Sequence, residues 1–363
     1  MSSQSQPALG VAYSSADPSI EDLPARVRQY PEFRYMGAKH RLLPWIHNVL
    51  SGLDFETALD PFCGTASVSY LLKSMNRRVV SLDFLNMAAT IASASVANNS
   101  KHIEGPDLRL LLSSSGRHSD FISQTFAGVF FKPDDLEFLD RVLSNAANLD
   151  RQKRAVALSA LMRSCLKKQP RGVFTLSGDL SRYDDGRRDL RLSIEEHFLE
   201  QIEVFNSIVF DNGRRNFAKQ VDFFSDRRRD VDLVYLDPPY VPRSDDNCYV
   251  KRYHFLEGLS KNWEGEEIDH GTKVKKIKKK YTPFSYRRTA VEAFEAVFDR
   301  YKNSIVVLSY SSNGFPDLET LEELLQRTKR TVEVFQKPHR YHFGTHKSVK
   351  RSLVTEYLIV GRP

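Results

Sequence analysis

Cysteine is scarce in this chain: three in 363 residues, Cys63, Cys165 and Cys248, far apart and odd in number. Such spacing excludes a disulfide framework and matches no metal-binding motif, so reduced thiols in a cytoplasmic protein are expected and a metal site is not. Long apolar runs are missing too. No stretch approaches the ~20 consecutive apolar residues of a membrane helix. The polar opening MSSQSQPALG lacks the basic and apolar regions of an export signal. No Gly-Lys-Ser/Thr is present, which removes a P-loop. Acid is short relative to base: 46 Asp and Glu against 53 Lys and Arg, a net charge of +7. That balance favours an acidic partner, with nucleic acid the first candidate.

What is present reads as α/β. Residues 1–30 are rich in Ser, Ala and Pro with little apolar periodicity, and are expected to be a disordered N-terminal tail. Beyond Phe33 come a strand ending ETALD, a Gly-containing turn, a helix through SVSYLLKSM and a strand RVVSLD, the opening of a doubly wound sheet. Strands resume with VDLVYLD, NSIVVLSY, TVEVFQK and EYLIVGR. Between them, at 101–215, the helical patterns PDDLEFLDRVLSN and RQKRAVALSALMRSCL precede an irregular, charged stretch KKQPRGVFTLSGDLSRYDDGRRDLR. The expected architecture is a Rossmann-like sheet domain, 31–100 plus 216–363, interrupted by a mostly helical insertion. A basic loop is expected at 260–288, where TKVKKIKKKYTPFSYRR from Thr272 carries eight Lys and Arg and no acid.

Two strand ends carry candidate chemistry. In LDPFCGTASVSYLL, Phe62, Gly64 and the small residues after it let the backbone turn tightly and approach a ligand at a helix N-terminus. Asp83, about 20 residues on, stands where such folds place an acid on a ribose. An adenosine-containing cofactor and an ordinary βα turn both fit these residues.

The second is VDLVYLDPPYV, a buried-strand pattern that runs into Asp-Pro-Pro-Tyr. At the carboxyl end of a parallel strand the chain faces the ligand crevice, and two prolines stiffen it without placing competing amide protons there. Asp237 and a proline carbonyl could hold both hydrogens of an exocyclic amine, while Tyr240 offers a face for a flat base. Acceptors on both N–H groups free the nitrogen lone pair for attack. A rigid turn without chemistry is the other reading.

At this point the chain resembles the Dam-like, D12-class family of DNA adenine-N6 methyltransferases, α arrangement. The likeness rests on FRYMGAKHRLL at Phe33, DPFCGTASVSYLL at Asp60 and DPPY at Asp237, in that order. The resemblance implies a methyltransferase sheet, S-adenosylmethionine as cofactor, double-stranded DNA as substrate and a flipped-out target adenine. It implies that Tyr35, Lys39, Phe62, Gly64, Asp83, Asp222, Phe223 and Asp237 contact the cofactor. Asp237, Pro238, Pro239 and Tyr240 are then the catalytic tetrapeptide. Ala66 stands where many members have a second Gly. The insertion at 101–215 is expected to recognise the target.

Candidate DNA contacts are Lys168 and Arg171 in the insertion, with Lys167, Arg182, Arg187 and Arg188 near them, and Lys275, Lys276, Lys278, Lys279 and Lys280 in the basic loop, mixed with Tyr281 and Phe284. Each also reads as a solvated surface charge. Asn313, in SYSSNGFPDLETLEELL, lines the base pocket or caps a helix. HRYHFGTHKSVKRSLVTEYLIV is expected as a closing hairpin whose His339, His342 and His346 lack a supporting ligand spacing. An RNA or cytosine-N4 enzyme, or a non-catalytic DNA-binding regulator, remains as an alternative. A monomer is expected, with a separate restriction endonuclease as a candidate partner.

Overall fold

The computed structural model describes residues 18–176, 183–228, 230–241, 248–340 and 353–363. Its centre is a seven-stranded sheet of β1 (Thr57–Asp60), β2 (Arg78–Asp83), β3 (Phe217–Gln220), β4 (Leu233–Leu236), β7 (Ile305–Ser311), β8 (Thr331–Arg340) and β9 (Leu353–Arg362), ordered β3-β2-β1-β4-β7-β9-β8. The first five in that order run parallel; β9 lies antiparallel to both β7 and β8. A separate two-stranded ribbon pairs β5 (Ile268–Asp269) with β6 (Lys276–Ile277). This is the doubly wound sheet expected from the strand patterns. The edge strand β3 is not among those patterns, because FAKQ is too short and polar to carry an apolar period.

Thirteen α-helices accompany these strands among the described residues. The first four are α1 (Ala25–Gln29), α2 (Leu43–Ser51), α3 (Ser67–Ser74) and α4 (Asn86–Ser95). The insertion contributes α5 (Gly105–Leu112), α6 (Phe121–Thr125), α7 (Pro133–Ala146), α8 (Arg151–Lys168), α9 (Arg188–Arg191) and α10 (Ile194–Ser207). After β4 come α11 (Tyr249–Ser260), α12 (Arg287–Arg300) and α13 (Leu318–Gln326). Local chemistry fixes several ends. Pro133, Asp134 and Asp135 open α7, and the Asp150 carboxylate accepts from the amides of Gln152 and Lys153 to start α8.

Alternation along the strands divides the core. Leu233, Tyr235, Val307, Leu358 and Val360 face the layer made by α3, α4, α8 and α10; Val234, Leu236, Val306, Leu308 and Ile359 face α12 and α13. The insertion helices share the first of these cores with the sheet, so they form a continuous body with it. The disordered tail expected over 1–30 does not include residues 20–30. Residues 20–29 form a 3₁₀ turn and α1, and Leu23, Val27 and Tyr30 are buried. Three apolar anchors at spacings of four and three suffice to hold this segment, although its composition reads as mobile. Residues 1–17 lie outside the described residues.

Candidate active site

The strand order reverses between β1 and β4, so the crevice of a doubly wound sheet opens above their carboxyl ends. β1 ends at Asp60 and β4 runs into Asp237. Between β1 and α3 the chain turns through Gly64 and Ala66, both left-handed (φ 50° and 57°). For Ala66 that conformation costs roughly 1–2 kcal/mol, which explains why glycine suits the position and why a methyl group survives there. A Cβ on Gly64 would point at Tyr35, 3.6 Å from its Cε1. The turn is a cradle that a side chain would begin to fill.

Asp83 supports this turn from β2. Its Oδ2 accepts from the Gly64 amide at 2.9 Å and its Oδ1 from the Leu85 amide at 2.8 Å. Burial pushes its carboxyl up to about 7 despite these bonds. Asp60 behaves similarly. It is 1 % exposed, its Oδ2 accepts from Ser69 Oγ at 2.7 Å, and its Oδ1 is buried with no hydrogen-bond partner among the described residues. Burial, helped by Asp237 and Asp83, raises it to about 7. A cleft lined by such carboxylates fits a cationic ligand.

The N-terminal motif forms the opposite wall. Tyr35 stacks on Tyr253 (4.5 Å between centroids) and on Tyr249 (5.5 Å), both from α11, and Tyr253 Oη accepts from the Met36 amide. Glu257 on the same helix accepts from the amides of Asn86 and Met87 at the start of α4, tying α11 to the strand end that carries Asp83. Lys39 is buried, and its Nζ lies 2.9 Å from Asp237 Oδ1. Burial pushes the pKa of the Asp237 carboxyl up, and the Lys39 ammonium pulls it back down.

Tyr240 packs on Tyr310 of β7 (5.2 Å between centroids). Gly314 makes this contact possible, since a Cβ there would lie 2.8 Å from the Tyr310 ring and 3.0 Å from Tyr240 Cδ2. Asn313 Oδ1 is buried beside it without a hydrogen-bond partner among the described residues.

One cleft thus gathers Tyr35, Lys39, Phe62, Gly64, Asp83, Asp237 and Pro239. Asp60, Phe84, Tyr249, Thr282 and Ser285 also line it, none of them legible as site residues from spacing alone. Asp222 and Phe223 do not reach the lining. Phe223 packs behind Phe62 at 5.3 Å, and Asp222 caps a 3₁₀ turn through the Phe224 amide. Lys280, expected on DNA, lines the cleft and pairs with Glu266 at 2.5 Å. Lys276 lies in β6, and Lys275 Nζ donates to the His270 carbonyl. Lys168 donates to the carbonyls of Leu190 and Leu192, and the guanidinium of Arg171 lies over the Tyr183 ring. Lys167 pairs with Asp189, Arg187 with Asp185 and Arg188 with Glu200, so these insertion cations serve local structure first. Phe284 is buried against Phe62 and Phe294, a core residue where a DNA contact is expected from sequence. Arg182, His342 and His346 lie outside the described residues, and no metal-binding cluster occurs among the described ones. None of the three thiols is in a disulfide. Among the described residues, no helix is long and apolar enough to cross a membrane.

Residues 35–324, which hold every wall of this cleft, match the model of the D12 class N6 adenine-specific DNA methyltransferases. The chain belongs to that family. It is 28 % identical over 349 residues to the Type II methyltransferase M2.HphI of Haemophilus parahaemolyticus, covering 92 % of this chain and 99 % of that one. It is 24 % identical over 347 residues to the modification methylase LlaI of Lactococcus lactis subsp. lactis, covering 87 % of this chain and 52 % of that one. The chain therefore spans about half the length of this second relative. The protein is a site-specific adenine DNA methyltransferase, and both the Rossmann-like sheet and the family resemblance read from its motifs hold. The regulator without turnover is set aside, as are the RNA and cytosine-N4 alternatives.

Proposed function

We propose that this methyltransferase uses S-adenosylmethionine to methylate N6 of an adenine flipped out of duplex DNA, with the cleft as the cofactor site. When bound, the cofactor supplies an electrophilic methyl group on a sulfonium. Asp60, with its buried unpartnered oxygen, and Asp83, beside the Gly64 turn, suit its ammonium and ribose respectively. Phe62 and Tyr35 line the same cleft.

The target amine is handled by the tetrapeptide. Asp237 Oδ and the Pro238 carbonyl each accept one N6 hydrogen, and Tyr240, seated by Tyr310 and Gly314, stacks on the base. With both hydrogens held by Asp237 and the Pro238 carbonyl, the nitrogen lone pair would be left free for the methyl group that the cofactor would supply. The proton that the methylated amine would release could pass to the partly buried Asp237, and the Lys39 ammonium opposes the burial that favours the protonated form of that carboxyl. Catalysis is orientation and electrostatic preorganisation. The Lys39–Asp237 pair in the lining of the cleft carries this reading.

The insertion reads the target sequence and the basic segment contacts phosphates. Arg171, Lys278 and Lys279 remain candidates for this, and Phe223 bears on the cofactor site only by packing behind Phe62. The protein works as a cytoplasmic monomer, with a restriction endonuclease of the same site as its partner. The test is to incubate pure protein with methyl-labelled S-adenosylmethionine and mixed-sequence duplex DNA and identify the labelled nucleoside. N6-methyladenine supports the assignment. Loss of transfer in Asp237→Ala, with DNA binding kept, supports the role of that carboxylate, and near-normal turnover would remove it.

A further inference from the structure

Among the described residues, few large apolar side chains are exposed, and two of them are tyrosines in mutual contact. Tyr281 is 38 % and Tyr286 42 % exposed, with ring centroids 5.3 Å apart and planes inclined by 45°. They flank a 3₁₀ turn (Pro283–Ser285) whose Phe284 is plugged into the core against Phe62 of the cofactor turn. Lys280, Thr282 and Ser285 of the same segment line the cleft, so the tyrosine pair stands at its rim.

The surroundings are strongly cationic. Thr272 to Ala290 contains eight Lys and Arg and no acid. Arg288 lies over the Tyr286 ring at 5.8 Å, and Arg287 over the Phe315 ring at 4.7 Å. Phe315 in turn donates its amide to the carbonyl of Val241, the residue that follows the tetrapeptide. The patch is thus continuous with the mouth through which a target base must pass. Two exposed rings in water, amid positive charge and anchored from beneath, match the stacking platforms on which nucleobases rest.

We propose that Tyr281 and Tyr286 form a stacking platform for a nucleobase of the substrate DNA beside the flipped adenine. The platform holds the unstacked neighbour while the adenine occupies the cleft. This rests on the reading of the cleft as the site of adenine methylation. The occupant is a base and not phosphate alone, because phosphate has no use for an aromatic face while the adjoining lysines and arginines serve it.

The experiment compares wild type with the double variants Y281A/Y286A and Y281F/Y286F on one methylatable duplex, reading KM for DNA, kcat, S-adenosylmethionine affinity and the salt dependence of DNA binding. Exposure of both rings predicts wild-type melting temperatures. The alanine variant is expected to raise KM for DNA by roughly tenfold to a hundredfold, the range for losing one base stack, with cofactor affinity and salt slope unchanged. The phenylalanine variant is expected to match wild type. DNA kinetics within twofold of wild type in the alanine variant would overturn the platform. So would an equal loss in the phenylalanine variant, which would assign the effect to the hydroxyls, or a parallel loss of cofactor affinity, which would make the pair a cofactor cover. Wild-type protein that transfers no methyl group to DNA would instead remove the reading beneath the proposal.

Discussion

Lys39 Nζ lies 2.9 Å from Asp237 Oδ1, joining the first motif of the chain to the carboxylate of its Asp-Pro-Pro-Tyr segment. Burial drives Asp237 toward its protonated form and Lys39 opposes that drive. Lys39→Met removes the opposing charge. The pKa of Asp237 should rise further, and the acidic limb of the kcat/KM profile should move to higher pH, with activity near neutrality falling by on the order of a hundredfold. A pH–rate profile checks this, and an unmoved limb would separate the lysine from the carboxylate.

Asp60 makes stability depend on pH. Its carboxyl is raised from 3.8 to about 7, so between those values the folded state holds a proton that the unfolded state has lost. Stability of the cofactor-free protein should therefore fall as pH rises through that window. Asp83 is raised in the same direction and adds to the slope. Asp60→Asn should flatten the decline and raise the melting temperature above pH 7, while weakening S-adenosylmethionine binding. Melts from about pH 5 to about pH 8, with and without the cofactor, test both halves.

Gly314→Ala should push Tyr240 and Tyr310 apart, because its Cβ would lie within 3.0 Å of both rings. The expected result is a fall in kcat on the order of a hundredfold, from misplacement of the stacking ring, with cofactor affinity kept. Steady-state kinetics beside a cofactor titration read the two separately.

Neutralising Lys275, Lys276, Lys278 and Lys279 to Gln should weaken DNA binding and flatten its salt dependence by about 0.9 in the log–log slope for each phosphate that no longer meets a cation. Lys280→Gln should act chiefly on the cofactor, since that side chain lines the cleft. Fluorescence titrations over a salt series distinguish them, and an unchanged slope would place the phosphate grip elsewhere.

Much of the site is legible in the sequence because its parts are local. A strand that ends in Asp-Pro-Pro-Tyr and a strand that ends in a Gly turn announce themselves by periodicity and by residues with special backbone chemistry. The helices α7 and α8 are legible for the same reason. The tail reads as mobile over too many residues because its composition outweighs three buried anchors, Leu23, Val27 and Tyr30, of which the last donates to the Thr65 carbonyl of the cofactor turn. Charge in the insertion reads as free because sequence does not show that Lys167 faces Asp189 or that Arg188 faces Glu200.

By itself, the sequence determined the sheet's main strands, the order of the motifs, and Asp83, Asp237 and the Gly64 turn as candidate site residues. These are properties of short stretches, carried by side-chain period and backbone freedom. Only the tertiary structure decided that Lys39 meets Asp237, that Asp60 is a buried acid with one oxygen unpartnered among the described residues, that Gly314 seats Tyr240 and that Lys280 belongs to the cleft. Those facts depend on which distant segments the sheet brings together and on how much water is left between them. Neither quantity is written in any local pattern of residues.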